Sequence, residues 1–380
     1  MQRVYFDNAA TTPLDKEVLA TMIPIMEESF GNPSSTHGHG RIVKTHLEEA
    51  RKTVSKALNC TPGEIFFTSG GTEADNMAIR MSVECLGVKN IITSPVEHHA
   101  VLHTVEELHK EGHVKMHLVN LLPDGHIDLA HLESLLAANE NVLVSLMHAN
   151  NELGNLLNIE KVGELCKTYN AYFHCDTVQT VGHYNIDLSA LHIHFIACAA
   201  HKFNGPKGVG FIYINKAVKI DPYITGGAQE RNMRGGTENV YGIIGLAKAL
   251  EIAMRDLEPK SAHIQGLKTY MINRLRETIP GITFNGDAEG NSLYTVLNTS
   301  FPPSAIGEMM LFKLDIAGIS ASGGSACSSG SSVGSHVLAA LKTDPTRAAV
   351  RFSFGKQNTR EEVDFVIEKL QEMLKLKATS

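Results

Sequence analysis

Short apolar runs alternate with longer segments of helical period from about residue 60 to about residue 215. Residues 64–68, 90–93 and 142–147 read as strands. Each is followed by a stretch whose apolar positions recur at helical spacing, over 73–86, 99–111 and 159–169. Residues 171–174 and 193–199 are two further strand-like runs. This rhythm predicts an α/β fold with a mostly parallel sheet covered by helices. In such sheets ligands bind beyond the carboxyl ends of the strands. Residues 239–257 read as one long helix, with apolar positions from Val240 through Ile243, Leu250 and Ala253, and Pro259 is expected to break it.

The pattern changes beyond that proline. A helix over 262–278, strands near 281–285 and 293–299, and a helix over 304–316 come first. A glycine- and serine-rich loop, a strand over 348–354 and a last helix follow, the helix opened by the capping box Thr359-Arg360-Glu361-Glu362. The expected division is a large domain over 14–258 and a smaller α+β domain made of 1–13 and 259–380. The loop at about 321–335 belongs to the small domain. No internal repeat or disordered linker is evident.

Composition agrees with this class. The 380 residues suffice for two domains, and 43% hydrophobic, 20% charged and 32 glycines suit a soluble globular chain. The net charge of −7 argues against bulk nucleic-acid or membrane-surface binding. No run of about 18 apolar residues appears, so no transmembrane helix is expected. The N-terminus lacks an apolar h-region and a cleavage site. The six cysteines form no CxxC and read as reduced thiols of a cytoplasmic protein. Five of them lie in helix-like or strand-like runs and are expected as small core hydrophobes. Cys327 stands apart.

Candidate chemistry gathers at the strand ends. Lys202, in His201-Lys202-Phe203-Asn204-Gly205-Pro206-Lys207-Gly208, lies 26 residues after Asp176 in His174-Cys175-Asp176-Thr177-Val178-Gln179. A lysine and an aspartate at one sheet edge suit pyridoxal 5'-phosphate. The amine condenses with the aldehyde, and the carboxylate keeps the pyridine nitrogen protonated. Lysines near strand ends are also commonly just solvated, so the pair needs its context.

Phe66-Phe67-Thr68-Ser69-Gly70-Gly71-Thr72-Glu73 joins a strand to a helix. Gly71, Thr72 and a free helix N-terminus form a phosphate cradle. An ordinary βα turn with Thr as N-cap explains the same residues, and the segment lacks the Walker A lysine. His98, in Glu97-His98-His99, could stack on a flat ring or move protons, or be a surface histidine at a helix start. Asn151, in Met147-His148-Ala149-Asn150-Asn151-Glu152, could address a ligand oxygen or simply form a turn. The pairs His37/His39 and His192/His194 lack a third ligand at a sensible spacing, so no metal is expected. Cys327 rides on a stretch of Gly, Ser and Ala that predicts a mobile loop. An exposed thiol is a liability unless used, which favours a nucleophile over an incidental cysteine. Arg351 interrupts an apolar strand and could hold a carboxylate in two parallel hydrogen bonds, or form an edge-strand ion pair.

Taken together, these residues resemble the cysteine desulfurases, pyridoxal phosphate enzymes of the aminotransferase-like fold type I group. The likeness runs nearly end to end. It includes Tyr5-Phe6-Asp7-Asn8-Ala9-Ala10-Thr11-Thr12-Pro13, Gly31-Asn32-Pro33-Ser34-Ser35 and the motifs around Thr72, His98, Asn151, Asp176 and Lys202. Arg231-Asn232-Met233-Arg234-Gly235-Gly236-Thr237, Ser325-Ala326-Cys327 and Arg351-Phe352-Ser353 complete it. The run from Ser325 to His336 resembles the long-loop, IscS/NifS-like class, which serves iron–sulfur scaffold proteins and thiolation pathways.

The resemblance implies a role for each position. Lys202 would hold the cofactor and move the substrate Cα proton, and Asp176 would pair with the ring nitrogen. His98 would stack on the ring and act as acid or base. Gln179 and Asn151 would address the ring oxygen or the substrate. Thr72 and His201 would contact the phosphate, completed by Thr237 of a partner subunit in a homodimer. Arg351 would grip the carboxylate of L-cysteine. Cys327 would take its sulfur as a persulfide, leaving L-alanine, and pass it to an acceptor such as an iron–sulfur scaffold. One position departs from the family. Ala199 stands where a Ser or Thr usually bonds the phosphate, which implies weaker cofactor binding. Another pyridoxal phosphate lyase, acting on selenocysteine, cysteine or cystine, would share most of these residues without needing Cys327. A non-catalytic binding partner retaining the fold would not need the intact Lys202, Asp176, Cys327 and Arg351.

Overall fold

Seven strands form the larger sheet, in the order Ile65–Thr68, Gly210–Ile214, Phe195–Ala199, Tyr172–Asp176, Val142–Ser145, Asn90–Thr93 and Lys115–Leu118. In this computed structural model, residues 3–323 and 334–375 are described. Cys327 lies outside them. The strands run parallel except Gly210–Ile214, which opposes both neighbours. Val142–Ser145, Phe195–Ala199 and Gly210–Ile214 are buried at every position. Helices cover both faces of these strands, so their sequences read as continuous apolar runs rather than alternating ones.

Side chains still alternate between the two faces. Phe67, Phe173, Ile196 and Phe211 join Val43, Leu47, Leu246 and Leu250 of the helices Gly38–Ala57 and Val240–Arg255. Phe66, Phe195, Ala197 and Ile212 face Ala74, Met77 and Ala78 of the helix Gly71–Cys85. Gly210 fits between strands where a side chain cannot: a Cβ there would lie 2.1 Å from the Cys198 carbonyl.

The long helix differs from expectation. It covers Val240–Arg255, and a second helix, Leu257–Thr278, begins after one non-helical residue, Asp256. Pro259 stands in the first turn of that second helix, where its missing N–H has no intrahelical partner to lose. The proline accompanies a start rather than causing a stop. The cysteines also differ in part: Cys166, Cys175 and Cys198 are buried, but Cys60 and Cys85 are half-buried. Cys60 follows the helix Gly38–Ala57 in a turn.

A three-stranded antiparallel sheet, Ala348–Ser353, Val296–Phe301 and Thr283–Phe284, carries a separate apolar core. Leu267, Met271 and Leu275 of the helix Leu257–Thr278 pack there, as do Val363, Val366 and Leu370 of the helix Arg360–Leu374. The capping box of Thr359 and Glu362 opens that last helix. The chain's first strand, Val4–Tyr5, pairs with Ile319–Ser320, and Asp7 bridges Ser353.

One turn is held against its own backbone preference. Glu230, Arg231 and Asn232 are consecutive left-handed residues, with φ of 44°, 56° and 65°. For residues with a Cβ this costs roughly 1–2 kcal/mol each. Arg51 holds the turn, its Nη1 and Nη2 donating to Glu230 at 2.9 and 2.8 Å, both residues buried. The Phe67 N–H donates to the same carboxylate, and Arg231 donates to the Ile65 carbonyl. The turn leads directly to Gly236 and Thr237. Arg51→Ala is expected to lower folding stability by about 3–5 kcal/mol, because it leaves a buried charge unpaired. The urea unfolding midpoint measures this, and an unmoved midpoint would remove the ion pair from the account.

Candidate active site

Successive parallel strands deliver their last residues to one edge of the sheet. Thr68 leads to the helix starting at Gly71, Asp176 ends its strand, and Ala199 leads to the short turn Ala200–Lys202. A cavity of about 220 Å³ opens there. Gly71, Thr72, Asp176 and Lys202 line it, with Gln179, His201 and Ala199. His98, Asn151 and Arg351 line it as well.

Asp176 is buried, and its Oδ1 accepts the Val178 N–H at 2.8 Å. Burial, and next the neighbouring Asp75, push its pKa up to about 7. His174 and Lys202 offset this only in part. Burial drives the Asp75 carboxyl far above the usual range. Burial also lowers His174 to about 4, so its ring is neutral. His174 Nδ1 meets Ser145 Oγ at 2.8 Å, and its Nε2 lies 3.3 Å from Asp75 Oδ1 in a misaligned contact. A protonated pyridine nitrogen would stabilise the charged form of this carboxylate.

The helix Gly71–Cys85 has no side-chain cap at its N-terminus. Its first N–H groups and positive dipole end suit a phosphate. A Cβ on Gly71 would lie 2.6 Å from Val178 Cγ2, so the glycine also lets this helix meet the turn after Asp176. The buried acid and the uncapped helix fit pyridoxal phosphate.

Residues 9–13 hold the lysine turn from the far side. Lys202 Nζ donates to the Ala9 and Ala10 carbonyls at 2.6 and 2.8 Å, and Gln179 Nε2 donates to Ala9. Thr12 bonds the His201 carbonyl through both its N–H and its hydroxyl. His201 Nδ1 meets Thr11 Oγ1 at 3.1 Å, and burial, then Lys202, lowers the ring to about 4.

His98 caps the helix His99–Lys110, its Nδ1 accepting the Ala100 N–H. Its neutral ring therefore carries hydrogen on Nε2. Burial, then Lys202, lowers its pKa to about 4. Arg351 is buried in the strand Ala348–Ser353 and donates from Nη1 to the Asn151 carbonyl and from Nη2 to Asp7.

One expected residue stands apart from this cavity. Thr237 lines a second cavity of about 170 Å³ with Ser69, Gly208 and Arg234. Cys327 is outside the described residues. Sequence reasoning missed the Ala9 and Ala10 carbonyls, which are backbone groups and leave no side-chain signal. It also missed Asp75, which lies one helical turn after Thr72 and could have been found from that spacing.

Comparison with known proteins agrees with this geometry. Residues 4–366 match the aminotransferase class-V family. "Cysteine desulfurase IscS" of Dictyoglomus turgidum is 42% identical over 98% of this chain and 95% of its own. "Putative cysteine desulfurase IscS 1" of Bacillus subtilis is 42% identical over 99% of each. A solved "NIFS-like protein" superposes with a TM-score of 0.91 at 40% identity, covering 98% of this chain and 100% of that one. With such matches over nearly its whole length, the chain belongs to the aminotransferase class-V family and, within it, to the cysteine desulfurases, which are pyridoxal phosphate-dependent enzymes.

Proposed function

We propose that this enzyme takes sulfur from L-cysteine, releases L-alanine and leaves a persulfide on Cys327 for transfer to an acceptor protein. The observation that carries this is convergence: Lys202, Asp176 and Arg351, from separate stretches of chain, line one cavity. When bound, the cofactor accepts the electron pair released at the substrate Cα. Asp176 keeps the ring nitrogen protonated. Gly71, Thr72 and His201 hold the phosphate, and His98 stacks on the ring. Gln179 and Asn151 address the ring oxygen or the substrate. Arg351 holds the substrate carboxylate, and Lys202 Nζ moves the Cα proton. His98, neutral near pH 7, accepts or returns a proton beside it. The Cys327 thiolate attacks the substrate sulfur. An S–S bond forms as the Cβ–S bond breaks, and the carbon skeleton leaves as L-alanine.

The same reading includes a homodimer in which Thr237 completes the partner's phosphate site. Its support is that Thr237 lines a different cavity from Lys202 within one chain. The division into 14–258, and 1–13 with 259–380, is supported by two separate apolar cores. A cytoplasmic setting agrees with the absence, among the described residues, of a helix long and apolar enough to cross a membrane. The acceptor is an iron–sulfur scaffold or a thiolation carrier.

Purified enzyme incubated with L-cysteine, without reductant, should gain one sulfur atom on the peptide carrying Cys327, seen by mass spectrometry. Cys327→Ser should abolish that mass shift and sulfur transfer while keeping the cofactor's visible spectrum. Pyruvate or alanine formed without a Cys327 persulfide would instead indicate a plain carbon–sulfur lyase.

Ala199→Ser should tighten the cofactor on the order of tenfold to a hundredfold, the worth of one hydrogen bond to a charged group at about 1.5–3 kcal/mol. Titration of stripped protein measures it, and equal affinities would sink the idea.

Asp176 predicts a pH dependence. In stripped protein its pKa of about 7 stands above the ordinary carboxylate value, so the folded state keeps a proton that the unfolded chain loses. Stability therefore falls as pH rises from the ordinary carboxylate pKa towards about 7. A cationic ring nitrogen removes that cost. The Tm difference between loaded and stripped protein should be larger at about pH 8 than at about pH 5. A difference that ignores pH would speak against the pairing.

A further inference from the structure

Arg351 reaches the cavity already engaged. Its Nη1 donates to the Asn151 carbonyl at 2.8 Å, and its Nη2 donates to Asp7 Oδ1 at 2.8 Å. Its Nε is buried and has no hydrogen-bond partner among the described residues. The arginine side chain is 1% exposed, against 19% for Asp7. Asp7 is not a loose surface charge. Its Oδ1 also accepts the Ser322 hydroxyl at 2.9 Å, and Ser322 exchanges backbone hydrogen bonds with Arg351.

A guanidinium grips a carboxylate through one of two forks. The end fork uses Nη1 and Nη2, and the side fork uses Nη2 and Nε. Nη2 belongs to both. Asp7 therefore contacts the one nitrogen that any bidentate grip must share. The partnerless Nε beside it marks the side fork as the open position.

A buried guanidinium without a counter-ion is costly. The first carboxylate to arrive would recover that whole cost and be held tightly. Substrate and product carry the same carboxylate, so such binding would not favour the chemical step. It would only delay the departure of L-alanine.

We propose, on the reading that Arg351 anchors the substrate carboxylate, that Asp7 is an internal counter-carboxylate that weakens this grip and lets the amino-acid product leave. It is a positioning residue, acting through Arg351. Both carboxylates draw on the charge of one guanidinium, with Ser322 steadying the internal one.

The test uses holoenzyme carrying Asp7→Asn, titrated with L-alanine while the cofactor's visible absorbance is followed. Asparagine keeps the size and can still accept the Ser322 hydroxyl. L-alanine should bind about tenfold more tightly, equivalent to ~1.4 kcal/mol. The KM for L-cysteine and kcat should both fall. L-alaninamide, which has no carboxylate, should bind equally to both proteins. A merely structural role would move the amide as much as the acid. L-alanine binding that is unchanged or weaker in Asp7→Asn overturns the proposal. If that variant does not fold, Ser322→Ala gives the opposite test. Asp7 then loses a donor and pairs more firmly with Arg351, so L-alanine should bind more weakly. Unchanged or tighter binding there overturns the proposal too. Holoenzyme carrying Arg351→Ala should lose L-alanine affinity. Native affinity in that variant overturns the proposal through its premise, a failure separate from the other two.

Discussion

A carboxylate buried at a strand end, its charged form made costly mainly by burial, is the unfavourable element around which this site is arranged. Raising Asp176 to about 7 corresponds to a penalty on the order of 4 kcal/mol for its charged form, at about 1.4 kcal/mol per pKa unit. His174 and Lys202 offset it only in part. His174, the nearest base on the same strand face, is neutral, and Asp75 adds repulsion rather than compensation. The fully buried strands on either side make the penalty sustainable, since they hold the Tyr172–Asp176 backbone in register with Phe195–Ala199. A site in which the charged form of an acid is costly favours a ligand that brings a positive charge to it. The uncapped helix at Gly71 does the converse for a phosphate. One ligand carrying both charges satisfies both ends.

The N-terminal segment is the second constraint, because it joins the two apolar cores at the cavity. Phe6 is fully buried and meets Phe352 and Phe354 edge-on, with ring centroids 6.4 and 5.4 Å away. A few residues later Thr12 is bonded to the His201 carbonyl. The strand that carries Arg351 and the turn that carries Lys202 are thus attached to the same short stretch of chain. This gives Tyr5–Pro13 the physical role of joining the two cores.

Much of this was legible in the sequence. Periodicity located the parallel strands because helices on both faces force apolar runs. Lys202, Asp176 and His98 lie where those runs end. What escaped was of two kinds. The reading of Pro259 as a breaker failed because a proline marks a helix start as readily as a stop, and only backbone geometry separates the two. The anchors of Lys202 escaped because carbonyls of Ala9 and Ala10 look like any other backbone. Asp7 was visible as a residue but not as a partner of Arg351, since nothing local connects positions 344 residues apart. Ala199 shows the reverse case: a departure in one side chain is plain in the sequence, and the cavity it lines gives it consequence.

The two cations of the cavity are set by one backbone stretch. Asp7 takes Arg351, and the carbonyls of Ala9 and Ala10 take Lys202. The three residue steps from 7 to 10 span at most about 10 Å when extended. The guanidinium and the amine are therefore tied to one short segment that is itself bonded to both cores. On the proposed reading, an α-amino acid places its carboxylate at one cation and its Cα proton at the other. Both cations come on side chains from distant elements and are tied to the same few residues. Neither cation needs to be drawn into place by the substrate, so the binding energy of a small amino acid remains for orientation.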